Sequence, residues 1–129
     1  MVTFNFHKNT KLIQEPKVIQ KEKDTYKLWR EIHKNFPKTE RFGIGQNIEQ
    51  CFLRILEFSF SGSFLKPKEK IIVLGKIITR LDVLKFFMQI AWENKLIPQK
   101  KYLIISENLN EIGKMLGGWK KGLQKKTSA

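Results

Sequence analysis

The sequence predicts an all-α fold, an up-down-up-down four-helix bundle, on three observations. Four segments carry apolar residues at i, i+3, i+4 and i+7, the spacing of one helix face. Short breaks containing Pro, Gly, Ser or Asn separate them, short enough to return each helix antiparallel to the last. No alternating run is long enough to build a competing sheet. The expected organisation is a tail at 1–16, a bundle domain at 17–121 and a second tail at 122–129.

Residues 1–16 alternate briefly at Val2, Phe4 and Phe6, too little to hold a sheet, and read as a tail docked by its two phenylalanines. The first helix is expected over Lys17–Phe36, with Val18, Thr25, Leu28, Trp29, Ile32 and Phe36 facing inward. On its other side Lys23, Lys27, Arg30 and Lys34 recur at i, i+4, i+7 and i+11. They form a basic stripe about 16 Å long, with Asp24 and Glu31 to the side of it. Such a row is either an ordinary solvated face or a surface awaiting a polyphosphate.

Pro37 stops this helix or begins the next, because the residue before a proline is pushed out of the helical region. The second helix is expected over Thr39–Phe60. Ile44, Ile48, Cys51, Phe52, Ile55 and Phe58 make its core face, while Leu53, Leu56 and Phe60 spill onto another. Gly43 and Gly45 make no phosphate loop, since no strand precedes them and no Gly-Lys-Ser/Thr follows.

The third helix, from Pro67 to Trp92, is the longest apolar periodicity in the chain, and its proline suits a first turn, where the missing N–H is not needed. Val73, Leu74, Ile77, Leu81, Leu84, Met88, Ala91 and Trp92 share one broad face. Ile72, Val83, Phe86 and Ile90 fall about a third of the way round the wheel from it. So much apolar circumference needs either a wide intramolecular face or a partner subunit. The last helix, from Pro98 to Lys121, turns Tyr102, Ile105, Leu109, Ile112, Leu116 and Trp119 inward. Beside them Ser106, Asn110, Gly113 and Gly117 make a stripe of short residues that calls for close packing or for termination near Gly117-Gly118. Lys100, Lys114, Lys121 and Lys125 add a basic edge on the far side.

Charge narrows the partners. Lys and Arg number 25 against 12 Asp and Glu, a formal balance of +13, which puts RNA, DNA and anionic membranes first and leaves a merely basic surface as the plain alternative. Every apolar stretch is interrupted by charge, so no membrane span is expected. Cys51 is the only cysteine and no secretory leader is evident, so a cytoplasmic setting is the expectation.

Catalytic chemistry is not expected. His7 and His33 lack cysteine clusters or carboxylates at metal-ligand spacing, and Glu49, Glu57, Asp82, Glu107 and Glu111 lack the Glu-x-x-His pairs of a di-metal bundle. Cys51, with no nearby His or acid in the sequence, reads as a core thiol. No metal and no cofactor are expected.

Two stretches look familiar. SENLNEIGKMLGGWKK, Ser106 to Lys121, resembles the C-terminal helix of the accessory variability proteins of diversity-generating retroelements, and PKTERFGIG, Pro37 to Gly45, resembles the opening of their second helix. The likeness runs from about Val18 to Lys121. A wider group, the four-helix proteins of ribosomal RNA intervening sequences, is similar in plan and in the second stretch but not as closely in the Gly-Gly-Trp run. The resemblance implies a non-catalytic, homopentameric, positively charged barrel that associates with a reverse transcriptase and with RNA, DNA being a further candidate. Helical spacing makes Lys23, Lys27, Arg30, Lys34, Lys114 and Lys121 the candidates for nucleic-acid or transcriptase contact, and Ile72, Val83, Phe86 and Ile90 the candidates for the subunit interface, and the resemblance supports the existence of such surfaces. The competing readings are an intervening-sequence bundle without a transcriptase partner and a purely structural oligomer.

Overall fold

The computed structural model describes residues 15–128, so the expected docking of Phe4 and Phe6 lies outside the described residues. Helices α1 (Lys17–His33), α2 (Lys38–Arg41), α3 (Ile44–Gly62), α4 (Pro67–Glu93) and α5 (Gln99–Thr127) are its elements, and it contains no strand among the described residues. The single turn α2 aside, the four long helices make a compact up-down bundle. α1 packs on α3 and α5, and α4 packs on the same two, so α1 and α4 sit diagonally.

Proline sets where the helices begin. Pro16, Pro37 and Pro98 immediately precede α1, α2 and α5, and Pro67 opens α4, all positions where a missing N–H removes no intrahelical bond. The same rule corrects the expected ends of the first two helices. Ahead of Pro37 the chain leaves α1 through tight i+3 bonds, Asn35 N–H to the Ile32 carbonyl and Phe36 N–H to that of His33. The segment from Lys38 then makes its own turn before Gly43 resets the chain into α3.

At the far end α5 runs straight through Gly117 and Gly118 to Thr127, past the expected end at Lys121, so termination, one of the two readings of those glycines, does not hold. α4 closes differently. Lys95 takes a left-handed φ of 62°, its N–H meets the Trp92 carbonyl and that of Leu96 meets Ala91, a Schellman closure with lysine where glycine is usual.

The core runs the length of the bundle through Trp29, Ile48, Phe52, Ile55, Leu74, Ile77, Leu81, Leu84, Met88, Ile105, Leu109, Ile112 and Leu116, all buried. Ile19, Phe36 and Ile97 seal it where the chain enters or turns. Of the residues expected inside, Leu28 is 37% exposed at the edge of α1, while Ile44, Cys51, Phe58, Val73, Tyr102 and Trp119 are half-buried against the core and Trp92 is half-buried at the helix seams. Trp92 and Tyr102 lie flat on each other there, centroids 4.7 Å apart, joining α4 to α5.

The second apolar face of α4 is real, but its position is corrected. The buried residues of α4 centre on Leu81, and at about 100° per residue Ile72, Val83, Phe86 and Ile90 fall nearly opposite them. Ile72 is 62% exposed, Phe86 58% and Val83 41%, with Ile90 half-buried. Ile72, Val83 and Phe86 therefore face largely out of the bundle, with Ile90 half-buried beside them, and a wide intramolecular face does not explain the exposure of the first three.

Candidate nucleic-acid interface

Helical spacing turns Lys23, Lys27, Arg30 and Lys34 away from the buried stripe of α1, and all four are exposed. The row is not wholly unanswered, which corrects the sequence reading. Lys23 Nζ reaches both carboxylate oxygens of Glu15 at 3.1 Å, and Lys34 Nζ meets Glu31 Oε2 at 2.8 Å. The Lys34 hydrogen bond and charge hold the Glu31 carboxyl below the usual range. Pairs this exposed are weak and yield readily to a competing polyanion. Lys27 and Arg30, in the middle of the row, have no carboxylate within ion-pair distance among the described residues.

At its Arg30–Lys34 end the row borders a hollow of about 500 Å³, lined by Tyr26, Arg30, His33, Lys34, Arg41 and Glu49. Arg41 reaches it from α2, held by the carbonyls at the end of α1: its Nε donates to Phe36 O at 3.1 Å and a terminal nitrogen to Lys34 O at 2.8 Å. Glu49, on α3, accepts from Tyr26 Oη at 2.5 Å and Trp29 Nε1 at 2.8 Å, so both carboxylate oxygens are engaged. Burial, then the bond to Glu49, pushes the Tyr26 hydroxyl up to about 12, which keeps it a donor. His33 stacks on Trp29, centroids 4.8 Å apart, and lies so close to α3 that a Cβ at residue 45 would sit 2.6 Å from its Nε2. Gly45 is there for that approach.

The sequence reading missed this hollow. Tyr26 and Glu49 are far apart in the chain, and Arg41 lies beyond a proline break across which no helical period carries. It also missed Glu22, although i+4 from Val18 and i−3 from Thr25 puts residue 22 on the inward stripe. Glu22 is 1% exposed; its Oε2 accepts from Ser59 Oγ at 2.8 Å, and Oε1 has no hydrogen-bond partner. Burial pushes its carboxyl up to about 8, against the opposing Ser59 bond.

Lys114 and Lys121 are exposed on α5, not on α1, and the Lys21–Glu111 pair at 2.8 Å occupies the seam between those helices. Gly113 meets Leu81 of α4 at 3.4 Å from its would-be Cβ, whereas Gly117 has nothing within 4 Å. Cys51 is half-buried against the core, and burial pushes its thiol up, away from the reactive thiolate. Among the described residues no three His, Cys, Asp or Glu side chains gather as a metal site. No helix among them is long and apolar enough to cross a membrane.

A family model described as bAvd-like matches residues 17–123, from the first residue of α1 into the last turns of α5. No curated protein matches the chain. The chain belongs to the bAvd-like family, in agreement with the resemblance to accessory variability proteins of diversity-generating retroelements and with a non-catalytic protein.

Proposed function

We propose that this bAvd-like chain is a non-catalytic, cytoplasmic accessory subunit of a diversity-generating retroelement, binding template RNA and the reverse transcriptase to support mutagenic copying. The observation that carries the reading is the exposed α1 row, with Lys27 and Arg30 at its centre left without carboxylate partners among the described residues. Such a row attracts phosphates and reads no bases, so sequence choice falls to the transcriptase or to RNA shape. The match to a bAvd-like rather than an intervening-sequence family favours the retroelement branch. In this reading Ile72, Val83, Phe86 and Ile90 join subunits, as a pentamer in line with the family resemblance, and the assembly repeats the row so that single contacts act together. Lys114 and Lys121 supply a second, separate basic surface on α5.

Titration of labelled RNA and DNA of equal length at several salt concentrations tests it. Affinity is expected to fall steeply with salt, because each neutralised phosphate releases counterions. Changing Lys27 and Arg30 to Glu is expected to lower affinity at least about tenfold at low salt and to flatten the salt dependence. Unchanged binding by the folded, assembled variant would remove this face as the contact surface.

A further inference from the structure

We propose that the hollow between α1, α2 and α3 receives a phosphomonoester, the terminal phosphate of a nucleic-acid strand whose backbone continues along the α1 row. The inference rests on the reading of that row as a phosphate-binding surface and assigns its end a separate task. A flat lysine face serves any phosphate alike. The Arg30–Lys34 end is different in kind: it borders a concavity of about 500 Å³, within the size of small-ligand sites, and Arg41 comes into it from another element.

Arg41 is the central observation. Of the five N–H donors of its guanidinium, one is spent on Phe36 O and one on Lys34 O, which fixes the plane and leaves three. Its orientation is therefore set before any ligand arrives, and an oriented guanidinium suits the fork geometry of a phosphate. Arg30 and Lys34 add two further cations to the same lining, against the single carboxylate of Glu49. Glu49 is turned to Tyr26 and Trp29, which take up both its oxygens. The wall remains net cationic, three against one, or three against two when Glu31, which meets Lys34 at 2.8 Å from outside the lining, is included.

A backbone diester inside a concavity must bring chain in and take chain out past its walls. A terminal monoester has one chain direction, three free oxygens and close to two negative charges at neutral pH. It matches three cations converging from two elements better than a diester does. The row then gives the strand a path, from Arg30 to Lys27 and on to Lys23.

The test compares 5′-phosphorylated and 3′-phosphorylated strands of one base sequence, at a single fixed salt concentration, with a hydroxyl-ended strand two nucleotides longer, whose two added diesters restore the charge without a monoester. Adenosine monophosphate serves as competitor, to separate a strand end from a free mononucleotide. At least one phosphorylated strand is expected to bind about tenfold or more tightly than the hydroxyl strand. That ratio should fall to about one in R41K, which keeps the charge but loses the fork. Because Arg41 also holds the end of α1, R30Q provides a second variant at an exposed side chain outside every hydrogen bond found, and its ratio should fall too. The monophosphate should displace the phosphorylated strand in preference to the hydroxyl one. A native ratio near one, or a ratio retained by folded R41K and R30Q, overturns the inference while leaving phosphate binding along the row intact. Binding of the monophosphate with neither strand bound overturns the strand-end assignment, and the absence of all binding overturns the underlying reading as well.

Discussion

α1 and α4 occupy equivalent places, diagonal members of one bundle that each pack on α3 and α5, yet they are built on opposite principles. α4 is apolar inside, through Leu74, Ile77, Leu81, Leu84, Met88 and Ala91, and carries Ile72, Val83 and Phe86 on its outward side. α1 is cationic outside, and polarity reaches its buried side, where Glu22 and Thr25 stand between Val18, Trp29 and Ile32. Core packing is satisfied by the inward stripe in both cases, so the outward residues are not explained by folding. An outward row of Lys and Arg is comfortable in water and complementary to a polyanion; an outward Ile, Val and Phe is neither. One bundle thus presents a charged side on α1 and, on α4, a side with Ile72, Val83 and Phe86 exposed.

The largest expected effect tests how far polarity penetrates α1. Glu22 titrates near 8 when folded and near its ordinary 4.5 when unfolded, so the folded state holds a proton that the unfolded state has lost. Its contribution is fully present below pH 4.5 and is lost as pH rises to about 8. Denaturant melts should show stability falling by up to about 1.4 kcal/mol per pH unit across that window, about 5 kcal/mol in all, relative to E22Q. Subtracting E22Q isolates this from Glu31 and Glu111, whose carboxyls are lowered by Lys34 and Lys21 and act in the opposite sense at acid pH. Parallel pH profiles for the two proteins would mean that Glu22 meets water.

Next in size is the outward side of α4. F86D should weaken self-association about a hundredfold, the loss of a buried aromatic anchor, and light scattering coupled to size exclusion should show smaller species. A native monomer at micromolar concentration would make α4's apolar side a surface without a partner. The smallest effect lies at the end of the same helix. K95G relieves the left-handed lysine, and thermal unfolding should show a gain of about 0.5–1 kcal/mol with assembly unchanged. A loss of stability would mean that the Lys95 side chain makes a contact worth more than the strain.

The bundle was legible because each long helix carries its own period and prolines stand at the starts. The boundaries around α2 were less so, since a four-residue turn has no period to detect. Leu28 was misplaced because it sits at the edge of a stripe whose width depends on how closely α5 approaches. The basic row could be read from spacing alone, but not its ion pairs, because Glu15 precedes the helix and only the fold shows that it reaches Lys23. Spacing also revealed that α4 has a second apolar face; that the face is outward depended on where α3 and α5 lie. Glu22 shows the converse, a position whose inward spacing was plain and whose residue type argued against burial.

The division between the two helices is tested most directly by sedimentation velocity of labelled RNA mixed with native protein, with the K27E/R30E variant and with F86D, since one experiment reads both mass and binding. The account predicts that K27E/R30E sediments at the native mass and carries far less RNA than the native protein at the same concentration, while F86D sediments as a smaller species. RNA carried by K27E/R30E as fully as by the native protein, or F86D sedimenting at the native mass, would contradict it.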